Sequence, residues 1–157
     1  MGNYMSNSDS LVQERRQSSH RMIQELVGVR DHMLSLYSEL AAKHPFNEND
    51  SVTDLLEQFC QQLIDYTADT HFRLYRYLDE KRERRRAVLD LAEKIYPTIV
   101  TTTDSILDFN DKYDFENNRE AIRLDTLEHD LSRLGEYLAD RIELEDQLIQ
   151  VLSMGRA

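Results

Sequence analysis

Asp65, Asp69, Phe72 and Arg76 stand at i, i+4, i+7 and i+11, a spacing that puts all four on one face of a helix. Gln58 and Gln62 lie close to that line, and Gln61 borders it. The chemistry such a set offers is recognition. Carboxylates pair with arginines through charge-assisted hydrogen bonds, and an aromatic ring set among them anchors an interface. A solvated helix face has reason to carry charges but little reason to carry a phenylalanine. On spacing alone Phe72 has two readings: an anchor for a partner, or a contact with another helix of the same protein.

Residues suited to catalysis or metal binding do not form a motif. Di-iron bundles use Glu-x-x-His on facing helices. The residues three before His20, His32, His44, His71 and His129 are Gln17, Val29, Ala41, Ala68 and Thr126, and none is a carboxylate. No His-Glu-x-x-His, glycine-rich phosphate loop or Gly-x-Ser-x-Gly elbow occurs. A hemerythrin-like metal site of another spacing stands as an alternative, drawing on His71, His129 and Glu145. The plainer reading of His71 is a partly buried ring bonded to a neighbouring Asp or Tyr. Cys60 falls within an apolar stripe and reads as a small core residue. As the single cysteine it has no internal disulfide partner, which fits a reducing, cytoplasmic compartment. We therefore expect a non-catalytic protein with no cofactor and no metal.

The elements that position these residues are helical. The chain has 157 residues, enough for one domain (1–157) that removes roughly 70% of its unfolded surface from water. Four glycines and two prolines leave few places for the chain to turn. Residues 1–10 are polar and expected to fray. From about Leu11 a first helix carries Met22, Ile23, Leu26, Arg30, Met33, Leu34, Tyr37, Leu40 and Ala41 at helical spacing, and it stops at His44-Pro45. A second starts at Asp50 or Ser51 with a capping-box-like Ser51-Val52-Thr53-Asp54. Its stripe runs unbroken from Val52 through Leu56, Phe59, Leu63, Thr67, His71 and Leu74 to Leu78.

Beyond that, Ala87–Tyr96 reads as a short helix ended by Pro97, with a new helix from Pro97 to about Tyr113. The β-branched run Thr98–Thr103 is assigned to helix because it has no partner strand. A last helix is expected from about Arg119 to Leu152, with either Leu144 or Glu145 facing inward. The fold class is thus all-α: an up-and-down four-helix bundle with one helix broken at Pro97 and a short extra helix.

Thirty acids against 19 bases give a formal charge of −11. Nucleic acid and acidic membrane surfaces repel such a chain, whereas a basic protein surface attracts it. Acidity also serves solubility alone. The longest uncharged stretch inside the chain, Ile95 to Thr103, is nine residues, against the ~20 that span a bilayer, and Met1 to Ser8 has no apolar core of a signal peptide. One basic island stands out at 81–86, with five bases and one acid. It reads either as a positive helix C-terminus or as a dock for an acidic partner.

The segment Phe59-Cys60-Gln61-Gln62-Leu63-Ile64-Asp65-Tyr66, followed by His71-Phe72-Arg73-Leu74-Tyr75, resembles the Rsd/AlgQ family pattern of Phe-Cys-Gln, Asp-Tyr, His-Phe and Tyr. Val29–Leu34, Lys94-Ile95-Tyr96-Pro97, Leu134-Gly135-Glu136, Arg141 and Leu144–Ile149 resemble flanking family segments in the same order, covering about residues 20 to 150. The resemblance implies a helical bundle that binds the C-terminal, promoter-reading domain of the primary sigma factor. It touches RNA polymerase only indirectly and favours alternative sigma factors. It also implies that Asp65 faces sigma and pairs with a sigma arginine. Asp69, Phe72, Gln61, Gln62, Gln58 and Arg76 are added from the helix face, and His71 is counted with them as sigma-binding. The longer polar N-terminus and the run at 81–86 depart from the family pattern. The state expected is a monomer or weak dimer. A helical adapter for a metabolic or stress enzyme is the remaining alternative.

Overall fold

Sparse turn residues and long 3.6-residue periodicity dictate helices, and a computed structural model shows them over the residues it describes, 7–47, 50–79, 85–114 and 123–153. Helix α1 (Asn7–Ala41) leads to α2 (Asp50–Thr70). A π-helical turn (His71–Tyr75) joins α2 to a one-turn α3 (Arg76–Asp79). Then come α4 (Arg86–Lys112), a 3₁₀ turn (Leu124–Thr126) and α5 (Leu127–Ser153). Cross-helix contacts set the directions. Tyr37 meets Phe59 while Glu25 meets Arg73, so α1 and α2 run antiparallel. Phe59 meets Phe109 while Tyr75 meets Tyr96, and Lys112 meets Asp130 while Thr102 meets Arg141, so α2, α4 and α5 alternate as well. Tyr37 reaching Leu131 and Arg30 reaching Asp146 close the ring between α5 and α1. This is the up-and-down bundle.

The core divides in two along the bundle axis. One part gathers Met33, Leu40, Leu56, Phe59, Leu63, Ile106, Phe109, Leu131 and Leu134. The other gathers Met22, Leu26, Leu74, Leu78, Val88, Ile99, Leu148 and Leu152. Each fully buried Leu or Ile contributes about 1.5–3 kcal/mol. On every long helix the residues between the two sets are polar and buried: Arg30, Thr67 and Thr70, Thr102, then Arg141 and Glu145. Cys60 lies inside the first part, and burial there pushes its thiol up to about 12.

Four sequence expectations need correction. Helix α1 begins at Asn7 rather than near Leu11, because extending a nucleated helix costs little. Helix α4 is continuous through Pro97, with no break. The ring removes one N–H bond to the Glu93 carbonyl, but Glu93 and Pro97 are both exposed, so water replaces it. The threonines that follow are held in helix by back-bonding. Thr101 Oγ1 donates to Pro97 O at 3.1 Å and Thr103 Oγ1 to Ile99 O at 3.0 Å. The second helix is interrupted at His71–Tyr75, where Arg76 N–H donates to the His71 carbonyl five residues back. The last helix starts at Leu127 after a 3₁₀ turn, in which Thr126 Oγ1 donates to Arg123 O at 3.1 Å. The expected start at Arg119 lies outside the described residues, as do 1–6 of the expected frayed end and 81–84 of the basic run. Arg85, at the edge of that run, donates to Val151 O and Leu152 O and so caps the C-terminus of α5.

At the opposite end Asp130 accepts from Lys112 Nζ and Tyr113 Oη, both at 2.5 Å. Burial alone would raise this carboxyl, but the two bonds hold it below its ordinary value. Its contribution is therefore complete above the unfolded value near pH 4 and fades as pH falls through the lowered one. Asp130→Asn should cost about 1 kcal/mol in urea unfolding at neutral pH and progressively less as pH falls below about 4.

Candidate functional site

The outward face of α2 carries Gln58, Gln61 and Asp65 exposed, with Gln62 half-buried beside them. Asp65 makes no hydrogen bond or ion pair to any described residue, so its carboxylate is open to a partner. Its neighbour Tyr66 points the other way and is fully buried. What fixes this orientation is the polar layer of the core. Tyr66 Oη donates to the Glu145 carboxylate at 2.7–2.8 Å. Arg141 donates from Nε to Glu145 Oε2 at 3.1 Å and from Nη1 to Thr103 Oγ1 at 2.7 Å and Thr102 Oγ1 at 3.2 Å. Arg30 bonds Asp146 at 2.8 Å and stands 3.6 Å from Glu145.

All four long helices thus meet at one buried ion-pair centre. Burial, and then the Glu145 charge, hold the Tyr66 hydroxyl well above its ordinary value. Burial likewise raises the Glu145 carboxyl, despite the neighbouring Arg141 and the Tyr66 bond. Rotating α2 about its axis would break these bonds, so the layer locks Asp65 outward.

The predicted face is not one continuous stripe. Asp69 is turned to α1: Arg73 Nε donates to its Oδ1 at 2.5 Å, and Arg73 also bonds Glu25. The side chain of Asp69 is 16% exposed, against 58% for Phe72 as a residue, so Phe72 and not Asp69 stands out beside Asp65. His71 meets the Phe72 ring edge-on at 5.3 Å, and the Arg76 guanidinium lies 6.0 Å from its centre. A π turn takes one residue more than an α turn, so positions beyond it are set back by about 100°. Arg76 therefore leaves the azimuth of Asp65 and reaches the site only over Phe72. Across from Phe72, α4 exposes Tyr96, Val100 and Leu107.

Sequence reasoning missed the π turn, the Arg73 link and the ion-pair layer. A signal for the turn exists. Tyr66, Thr70, Leu74 and Leu78 are all buried at successive four-residue steps. An ideal helix would drift by ~120° over those steps, and the π turn absorbs the drift. Arg30 within an apolar stripe, with Arg141 and Glu145 four apart at inward positions, is the signal for the layer. The hemerythrin-like alternative finds no matching geometry. His71 and His129 are exposed, Glu145 is buried in an ion pair, and no group of three or more His, Cys, Asp or Glu among the described residues is disposed to hold a metal. No helix among the described residues is long and apolar enough to cross a membrane.

Comparison with known proteins agrees with the resemblance. Residues 5–153 match the family described as regulator of RNA polymerase sigma(70) subunit, Rsd/AlgQ. A "Regulator of sigma D" of Enterobacter sp. (strain 638) is 32% identical over 147 residues, covering 92% of this chain and 88% of the relative. One of Salmonella paratyphi A is 31% identical over 155 residues, covering 94% and 91%. One of Escherichia coli O139:H28 is 32% identical over 152 residues, covering 92% of each. No solved structure matches the chain significantly.

Proposed function

The chain belongs to the Rsd/AlgQ family of regulators of the RNA polymerase sigma(70) subunit, and on that premise we propose that it is a non-catalytic, cytoplasmic anti-sigma protein. It captures the C-terminal, promoter-reading domain of the primary sigma factor. Capture limits the use of that factor by RNA polymerase and leaves the polymerase to alternative sigma factors. The observation that carries this reading is Asp65, exposed and without a partner among the described residues, beside an exposed Phe72 on a helix whose rotation is locked.

A domain built to grip phosphates displays arginines, and a carboxylate offers them the same bidentate acceptor. Gln58, Gln61 and Gln62 supply flanking donors and acceptors, and His71 and Arg76 brace the Phe72 ring. Asp69 acts through Arg73, which it holds in place between α1 and α2. The net charge of −11 speeds encounter with a basic partner and disfavours direct binding to DNA.

Mixed with a primary sigma factor, the protein should elute as a one-to-one complex in size-exclusion chromatography. Its affinity should fall at least several-fold as salt is raised from about 50 to 300 mM. A complex indifferent to salt would exclude the electrostatic account, and no complex at all would exclude sigma capture.

A further inference from the structure

Between α2 with its π turn and α4 lies a cleft of about 320 Å³ that shares only His71 and Phe72 with the sigma-facing surface. Its walls are apolar, from Ile64, Ala68, Ile99, Val100 and Leu107, and Phe72 and Tyr96 stand at its rim. Polar residues interrupt this lining: Thr67, His71, Thr103, and two that hold an uncommitted donor in the interior. Arg141 is 1% exposed yet lines the cleft. Its Nε and Nη1 are committed to Glu145, Tyr66, Thr102 and Thr103, while Nη2 bonds no described residue. Tyr75 also lines the cleft, and its hydroxyl oxygen is buried without a hydrogen-bond partner among the described residues.

We propose that the cleft is a small-molecule site for a carboxylate with an aromatic or branched apolar body, the carboxylate accepting from Arg141 Nη2 and Tyr75 Oη. Apolar walls with a few fixed polar groups, in a volume near 300 Å³, are the marks of such sites. Two unpaired donors match the two oxygens of a carboxylate. The volume suits a molecule of about a dozen heavy atoms, and a peptide helix, about 10–12 Å across, is too wide to reach the floor. Buried polar groups ordinarily have partners, and an occupant of this class supplies them. The inference stands apart from sigma capture, and its test contains no sigma.

The full chain, with ¹³C-labelled Ile, Leu and Val methyls, is titrated with 3-phenylpropionate and separately with 3-phenylpropanamide, and followed by NMR. Saturable shifts are expected at Ile64, Ile99, Val100 and Leu107, with the acid binding at least about five-fold tighter than the amide. Tyr75→Phe should keep or raise the thermal midpoint, because the hydroxyl has no partner among the described residues to lose. It should also weaken the acid about three-fold or more. Val100→Glu, at an exposed position, should abolish binding of both by placing its own carboxylate in the cleft. Non-saturating shifts, shifts centred on other residues, equal affinity for acid and amide, or unchanged affinity in Tyr75→Phe would each overturn the assignment.

Discussion

Glu145→Ala is expected to destabilise the bundle by about 3–5 kcal/mol, read as a lowered urea midpoint at neutral pH. Glu145 is fully buried and accepts from Tyr66 and Arg141, with Arg30 3.6 Å away. Removing it leaves the Arg141 guanidinium in the core without its counter-charge and the Tyr66 hydroxyl without its acceptor. A buried charge stripped of its partner is among the few lesions this costly. The double change Glu145→Leu with Arg141→Met removes both charges and should cost far less than the single one, or nothing. The pair thus need not hold the fold together. Its role is to specify how α2 is rotated, so the double variant should fold yet bind sigma less tightly. Because burial holds the Glu145 carboxyl above its ordinary value, protonating it in acid favours the folded state. Loss of stability in acid therefore comes from groups such as Asp130, whose carboxyl is held low.

Asp65→Arg should abolish sigma capture, weakening it at least a hundred-fold, and Asp65→Ala should weaken it about thirty-fold, near 2 kcal/mol. On the proposed pairing with a sigma arginine, the alanine removes one charge-assisted pair, whereas the arginine adds repulsion against that cation. Neither change should alter stability by more than about 0.5 kcal/mol, since Asp65 is exposed and bonds no other described residue. Calorimetric titration beside urea unfolding separates the two effects. Equal binding by Asp65→Arg and the native chain would remove Asp65 from the interface.

Much of the fold was legible because burial imposes a period. Leu56, Phe59 and Leu63 on α2, and Leu131, Leu134 and Leu138 on α5, recur at helical spacing and are all buried. Pro97 misled because proline is a local signal, whereas packing of Ile95, Ile99, Thr102 and Ile106 on one face of α4 is a collective one. Spacing places Gln58, Gln61 and Asp65 on the exposed face of α2 and Phe72 beside them, but it misplaces Asp69. Arg73 draws Asp69 towards α1, and from His71 the π turn shifts the register. Neither follows from a strict 3.6-residue rule. The buried ion pairs were missed for a different reason: Arg30 and Glu145 fall on inward stripes, but charged residues on long helices usually face water, and the pairing itself reaches across from α1 to α5.

The most direct measurement is competition for the isolated C-terminal sigma domain between this protein and labelled upstream promoter DNA, followed by fluorescence anisotropy. If the carboxylate face of α2 takes the place of DNA phosphates, the native chain releases the DNA at one equivalent and the Asp65→Arg chain does not. DNA that stays on the domain after the protein has bound, or equal release by both chains, would contradict that claim.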